Sequence, residues 1–192
     1  YDNKQEMVDI VAKYLADGAV IGWQQGRAEW GPRALGNRSI LGNPGMKDIQ
    51  AHVNKKIKFR EPFRPFAPSV LAERAAEYFE LEDVLEVTAP EYFMLTVCKV
   101  LQDKRDKIPG VTHVDGSARV HIINKTINPL YHNLVNKFSE ITGIPLVLNT
   151  SFNRRGEPIV NSPDDAIKTF MWSEIDVLVM GNYVIARGEN DF

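Results

Sequence analysis

Arg33 and Arg38 stand five residues apart in a run rich in glycine and proline, GRAEWGPRALGNRSIL. Gly31 and Gly36 let backbone approach a ligand closely, and Pro32 stiffens the approach. Two planar guanidiniums there can fork onto the oxygens of one anion. Ion pairing with Glu29 and other acids is the competing use of the same groups. A second cationic pair, Lys58 and Arg60, flanks Phe59 in KFREPFRPFAP, and Arg64 extends it. In an extended segment, residues i and i+2 share a face, which predicts both cations on one side with Phe59 packed behind. Two adjacent cations repel unless an anion lies between them; a solvated strand face is the alternative. From Arg27 to Arg64 there are nine Lys/Arg and three Asp/Glu, a local charge of +6 in a chain of net charge −2. That concentration favours a small, multiply charged anion such as phosphate over non-specific polyanion binding, which needs a broad basic face.

Asn149, Ser151 and Asn153 follow the most apolar run, IPLVL. A polar burst at the C-terminal end of a buried strand is where α/β proteins place ligands. Ser151 and Asn153 share a face if the chain stays extended, and suit a phosphate or a ribose. A turn satisfying its own backbone is the competing reading. In HVDGSAR, Asp115 and Arg119 lie four apart around a glycine. Asp115 reads as a structural ion-pair partner and Arg119 as an anion ligand.

Other chemistry is poorly supported. The four histidines (His52, His113, His121, His132) have no ligand-like spacing with cysteine or acids, so no metal site is expected. Neither GxxxxGK[ST] nor GxGxxG occurs, and no Ser-His-Asp or Cys-His arrangement stands out. Asp164 and Asp165 read as first-turn helix acids. Trp23, Trp30 and Trp172 read as core or pocket walls.

Elements that position these groups follow from periodicity. Met7, Ile10, Val11, Tyr14 and Leu15 predict a helix stopped at Gly18, with a buried strand over 19–23. A loop over 26–36, with a short helical turn at PRAL, leads into a strand at RSIL, a turn over 42–45 and a helix over 46–56. Three prolines make 57–71 extended. A short helix over 73–79, an acidic surface loop over 80–90 and a strand over 91–100 come next. After a charged, mobile connection over 102–110, SARVHIIN reads as one strand. Pro129 starts a helix ended by Gly143, IPLVLNTS is a strand, and Ser162 caps a helix. Two strands around a Gly-Asn turn close the chain. Alternating strands and helices in 192 residues predict a single mixed α/β domain over 1–192.

A composition of 44% hydrophobic and 25% charged residues is that of a soluble globular protein. The lone cysteine, Cys98, forbids an internal disulfide; it reads as a buried, inert thiol suited to the cytoplasm. Apolar runs are too short to span a bilayer. No signal peptide is visible, and the start at Tyr1 suggests a piece of a longer chain.

Four blocks, GRAEWGPRALGNRSIL, NKKIKFREPFRPFAPSV, HVDGSARV and TGIPLVLNTSFNRRGEPIV, together resemble the C-terminal domain of the NodU/CmcH carbamoyltransferase family. The resemblance covers about 18–187. It implies a YrdC-like twisted α/β sheet with flanking helices and a concave, basic ligand surface. It also implies a Lys-x-Arg and a Ser-x-Asn facing one another around a nucleotide, falling on Lys58, Arg60, Ser151 and Asn153. The implied reaction uses carbamoyl phosphate and ATP, with Mg²⁺ accompanying the nucleotide, to form carbamoyl adenylate. A preceding domain of the actin/hexokinase type would then pass the carbamoyl group to a hydroxyl. Arg33, Arg38 and Arg119 would bind carbamoyl phosphate; Lys58, Arg60, Asn149, Ser151 and Asn153 would hold the nucleotide, with Lys58 and Arg60 catalytic. The family usually carries Gln where this chain has His121. A nucleotide- or RNA-binding module without catalysis is the alternative, disfavoured by the net negative charge. Threonylcarbamoyl-adenylate synthesis shares the Lys-x-Arg and Ser-x-Asn logic, but PRALGNRS points away from it.

Overall fold

The computed structural model describes residues 3–61, 63–81 and 88–188. Its centre is a seven-stranded sheet. In chain order the strands are β1 (Ile21–Gln24), β2 (Arg38–Gly42), β3 (Ala67–Leu71), β6 (His121–Ile123), β7 (Leu146–Ser151), β8 (Val177–Met180) and β9 (Tyr183–Ala186). They lie in the order β6-β3-β7-β2-β1-β8-β9. The pairs β3/β6 and β1/β8 are parallel; the other four are antiparallel. A separate ribbon pairs β4 (Val97–Lys99) with β5 (Ser117–Arg119).

Alternation along the strands feeds two cores. Helices α1 (Lys4–Ala16) and α3 (Pro129–Thr142) pack together on one face, where Leu15, Leu134 and Phe138 meet Trp23, Leu41 and Val147. The α1 N-terminus is capped by Asn3, whose side chain accepts from Gln5 N; α3 begins at Pro129 with an Asn128 cap and ends in left-handed Gly143. Helix α4 (Pro163–Met171) begins with a reciprocal Ser162/Asp165 capping box and buries Ala166 and Phe170 in the opposite core with Phe152 and Leu178. This is the mixed α/β fold expected from the alternation of elements.

Several boundaries differ from expectation. Only Ile49–His52 (α2) is α-helical within 46–56; the chain then widens into a π-helical turn, Val53–Ile57. This delivers Lys58 in a right-handed helical conformation and Phe59 at φ 50°, half exposed. Lys58 and Arg60 therefore do not share an extended face, and Phe59 is not packed behind them. In 91–100 only Val97–Lys99 is strand, because Pro90 opens a 3-10 turn and Met94 turns left-handed. SARVHIIN divides at Val120 into β5 and β6, which join different sheets. The short helix expected over 73–79 is a 3-10 turn, Ala72–Glu77, and the connection expected over 102–110 contains another, Gln102–Lys107. Residues 82–87 of the acidic stretch lie outside the described residues. Trp23 is fully buried and Trp172, though mostly exposed, lines a groove beside α4, but Trp30 is fully exposed. Cys98 is buried, and its thiol is pushed up to about 11, chiefly by that burial. Among the described residues no helix is long and apolar enough to cross a membrane.

Candidate anion-binding site

A cavity of about 110 Å³ lies between the 32–34 loop, the segment after the π-helical turn and the end of β7; Arg33, Arg60, Arg119, Asn149, Thr150 and Ser151 are among its lining residues. Among the described residues no acidic side chain lines it. Three guanidiniums from three separate segments thus converge on a space sized for one small oxyanion, well below the ~300 Å³ of an ordinary small-molecule pocket.

Arg60 is held from behind. Arg60 Nε donates to Asn54 Oδ1 at 2.7 Å, and its guanidinium lies 4.8 Å from the Phe66 ring centre. Arg119 sits on β5 with its Nε buried and without a hydrogen-bond partner. Burial, reinforced by the Arg33 charge, lowers the Arg119 pKa. Burial, with Arg64 and Arg119 adding repulsion against Glu61, lowers Arg60 to about 10. A bound anion would relieve this crowding of like charge. Asp115 does not pair with Arg119: its Oδ1 accepts from Ser117 N at 3.0 Å and Ser117 Oγ at 2.6 Å, closing a turn.

Arg38 is placed elsewhere. Its guanidinium donates to the main-chain oxygens of Gln25 (2.8 Å), Asn37 (2.9 Å), Gly26 (3.1 Å) and Asn161 (3.1 Å). These bonds tie the glycine loop to the segment before α4 and leave little capacity for a ligand. Glu29 does not form a side-chain bridge with either arginine; its Oε1 accepts from Leu35 N at 2.7 Å and Asn37 N at 2.6 Å, folding the loop around its own carboxylate. Gly36, at φ 103°, rests on the Tyr131 ring so closely that a Cβ would lie 2.2 Å from it.

Lys58 adjoins the cavity behind Ser151. Its Nζ donates to Ser151 O, to Asn153 O at 2.9 Å and to Asn153 Oδ1 at 2.7 Å. Ser151 Oγ in turn donates to Asn153 Oδ1 at 2.8 Å. These acceptors are neutral, so a buried ammonium lacks a counter-charge there. Desolvation, with Arg60 adding repulsion, pushes Lys58 down to about 7. Asn149 is buried, and its Nδ2 donates to Ala34 O at 3.0 Å and Ser69 Oγ at 2.8 Å. The fold thus gathers Arg33, Arg60, Arg119, Asn149 and Ser151 around one cavity, places Lys58 and Asn153 against its wall, and leaves Arg38 out. Asn54 and Ser69 were missed by sequence reasoning: a lone Asn in a helix and a lone Ser in an apolar strand carry no motif.

A larger groove, about 480 Å³, includes Tyr14, Met46, Asp48, His52 and Asp176. Its walls are mainly apolar and its acids oppose an anion, so the charge chemistry belongs to the smaller cavity.

A family profile described as carbamoyltransferase C-terminus matches residues 12–187. The nodulation protein NolNO of Sinorhizobium fredii is 50% identical over 95% of this chain and 26% of its own length. The 3'-hydroxymethylcephem-O-carbamoyltransferase of Streptomyces clavuligerus is 37% identical over 88% of this chain and 30% of its own. The chain thus spans about a third or less of the curated relatives it matches. Among solved structures, full-length HypF in its phosphate- and nucleotide-bound form aligns with a TM-score of 0.66 at 18% identity, over 91% of this chain and 25% of that one. Sua5 of P. abyssi complexed with L-threonine gives 0.62 at 14%, over 92% and 47%. These two likenesses show the fold.

Proposed function

The chain belongs to the carbamoyltransferase C-terminal family, and from that premise we propose that its arginine-lined cavity binds carbamoyl phosphate. In this reading the domain uses ATP to activate the carbamoyl group as carbamoyl adenylate. The observation that carries it is the convergence of Arg33, Arg60 and Arg119 on about 110 Å³ with no carboxylate among the lining residues. Such a space suits a small oxyanion and not a nucleotide. The adenosine would therefore lie outside, along the lip where Lys58 meets Ser151 and Asn153.

The chemistry balances as follows. Water cleaves carbamoyl phosphate to carbamate and phosphate. A carbamate oxygen then attacks the α-phosphorus of ATP, and the bond to the bridging oxygen breaks with pyrophosphate leaving. Arg33 and Arg119 hold the donor, while Arg60 and Lys58 offset charge on the phosphates; this is positioning and electrostatic stabilisation. Mg²⁺ would travel with the nucleotide phosphates. Arg38 is not part of the ligand set in this reading, since carbonyl oxygens occupy its fork.

Transfer to a hydroxyl acceptor is assigned to another region of a longer, cytoplasmic protein. Trp30, Phe63 and Leu95, each within two residues in sequence of a residue that lines the cavity, are exposed apolar side chains. Another region of that protein would cover these side chains. Calorimetry of the chain with carbamoyl phosphate and with ATP–Mg²⁺, followed by carbamoyl-phosphate-dependent ATP–pyrophosphate exchange, tests the proposal. Saturable binding of both and exchange abolished by Lys58→Ala support it. Binding of neither by a folded sample refutes it, as does binding only of RNA with a steep salt dependence.

A further inference from the structure

Behind the cavity, on the α3 face of the sheet, three adjacent strands each contribute one buried polar side chain. His121 of β6, Ser69 of β3 and Asn149 of β7 are 4%, 0% and 1% exposed in a layer otherwise built from apolar and aromatic side chains. They form a continuous chain: His121 Nδ1 and Ser69 Oγ are 2.7 Å apart, Asn149 Nδ2 donates to Ser69 Oγ at 2.8 Å, and the same Nδ2 donates to Ala34 O at 3.0 Å. Ala34 O can only accept, so the amide orientation is fixed by its partner. The His121 ring is stacked on Tyr131, 6.3 Å between centres and 18° between planes, which fixes the other end. Buried polar groups in an apolar layer are costly unless engaged; here Asn149 is engaged through Nδ2, while its Oδ1 is buried without a hydrogen-bond partner. The trio ends on the main chain of the residue after Arg33.

We propose that His121, Ser69 and Asn149 form a positioning relay that holds the Arg33 loop over the anion cavity, with His121 acting through Ser69 and Asn149. The Glu29 carboxylate belongs to the same loop and would move with it, while Trp23 Nε1, donating to Gly36 O, and Asn128 Nδ2, donating to Asn37 Oδ1, anchor the loop farther along, both at 2.9 Å. The bond from Asn149 to Ala34 O ties the loop to the sheet at the residue next to Arg33. The inference rests on the anion reading of the cavity but not on the carbamoyl reading.

Amide hydrogen exchange at 33–37, together with calorimetric titration by inorganic phosphate, tests the relay in the full chain carrying His121→Leu, Ser69→Ala or His121→Gln. His121→Leu and Ser69→Ala should each speed exchange at Leu35 and Asn37 and weaken phosphate about tenfold, a 1.4 kcal/mol change. His121→Gln, which keeps a hydrogen-bonding group toward Ser69, should restore both. Lowered thermal stability with wild-type loop exchange and wild-type phosphate affinity would make the trio merely structural and overturn the relay. If His121→Leu does not fold, Ser69→Ala and His121→Gln still decide the matter. Wild-type binding of phosphate but not of carbamoyl phosphate would refute the proposed function and leave the relay standing on its two readouts. Unchanged variants in a chain that binds carbamoyl phosphate would refute the relay alone. A wild-type chain that binds no phosphate refutes both.

Discussion

Lys58 makes the stability of this fold depend on pH in a direction opposite to that of a salt-bridged lysine. Its ammonium is buried against oxygens of Ser151 and Asn153 with no carboxylate, and its pKa falls from 10.5 to about 7. Between those values the unfolded chain holds the proton and the folded chain has released it, so stability rises with pH. Stability is fully present above 10.5 and is lost as pH falls through 7. For one such group the change between pH 7 and 9 is about 2 kcal/mol, from 1.36 kcal/mol per pKa unit and half-titration at the lower limit. Cys98, raised from 9.0 to about 11, works in the opposite sense mainly above that window. Urea unfolding of wild type and Lys58→Met at pH 7, 8 and 9 isolates the lysine as a difference. Wild type should gain the ~2 kcal/mol relative to Lys58→Met. Parallel pH profiles would show that the ammonium is not penalised by burial and would remove the physical basis for its unusual acidity. An anion bound beside it should restore the charge, so phosphate binding near pH 8 should take up protons, read as buffer-dependent calorimetric heats.

His121 is fully buried, and desolvation lowers it from 6.5 to about 3. Its contribution is present above 6.5 and lost as pH falls toward 3, so wild type should lose about 2 kcal/mol more than His121→Gln between pH 6.5 and 4.5 in urea titrations. Arg119→Lys keeps the charge but loses the fork; phosphate affinity should drop about tenfold by calorimetry, a 1.4 kcal/mol change. Gly36→Ala places a side chain at φ 103° and into the Tyr131 ring; it should destabilise by about 3 kcal/mol in urea unfolding, from backbone strain and overpacking together. Arg38→Met leaves four main-chain carbonyls without their donor; a loss of about 3 kcal/mol in thermal or urea unfolding is expected.

Helices with caps and apolar stripes were readable from sequence, and α1, α3 and α4 lie close to where Gly18, Pro129, Gly143 and Ser162 put them. Less readable were places where a local conformation overrides a pattern. The bridge from α2 into a π-helical turn has no signal in IQAHVNKKI, yet it decides that Lys58 turns inward to Ser151 while Arg60 faces the cavity. The division of SARVHIIN at Val120 is likewise a tertiary decision: Arg119 follows the ribbon to the cavity, and His121 follows the main sheet to the buried relay. A period-two pattern cannot report which sheet each half joins.

Arg33 and Arg38 show why charge and spacing locate a site more readily than they assign its parts. Both lie in the same glycine loop, and from the sequence either is a suitable fork. The difference arises from the number of carbonyl oxygens that folding brings within reach. Arg38 begins β2 and is enclosed by Gln25, Gly26, Asn37 and Asn161, so its donors are consumed by the backbone. Arg33 stands at the turn before β2, next to the carbonyl that Asn149 fixes, and reaches the cavity. One arginine therefore builds the loop that presents the other. The proposed anion site is the surplus positive charge left after the fold has satisfied its own carbonyls, and that surplus is visible only when every guanidinium donor has been traced to its partner.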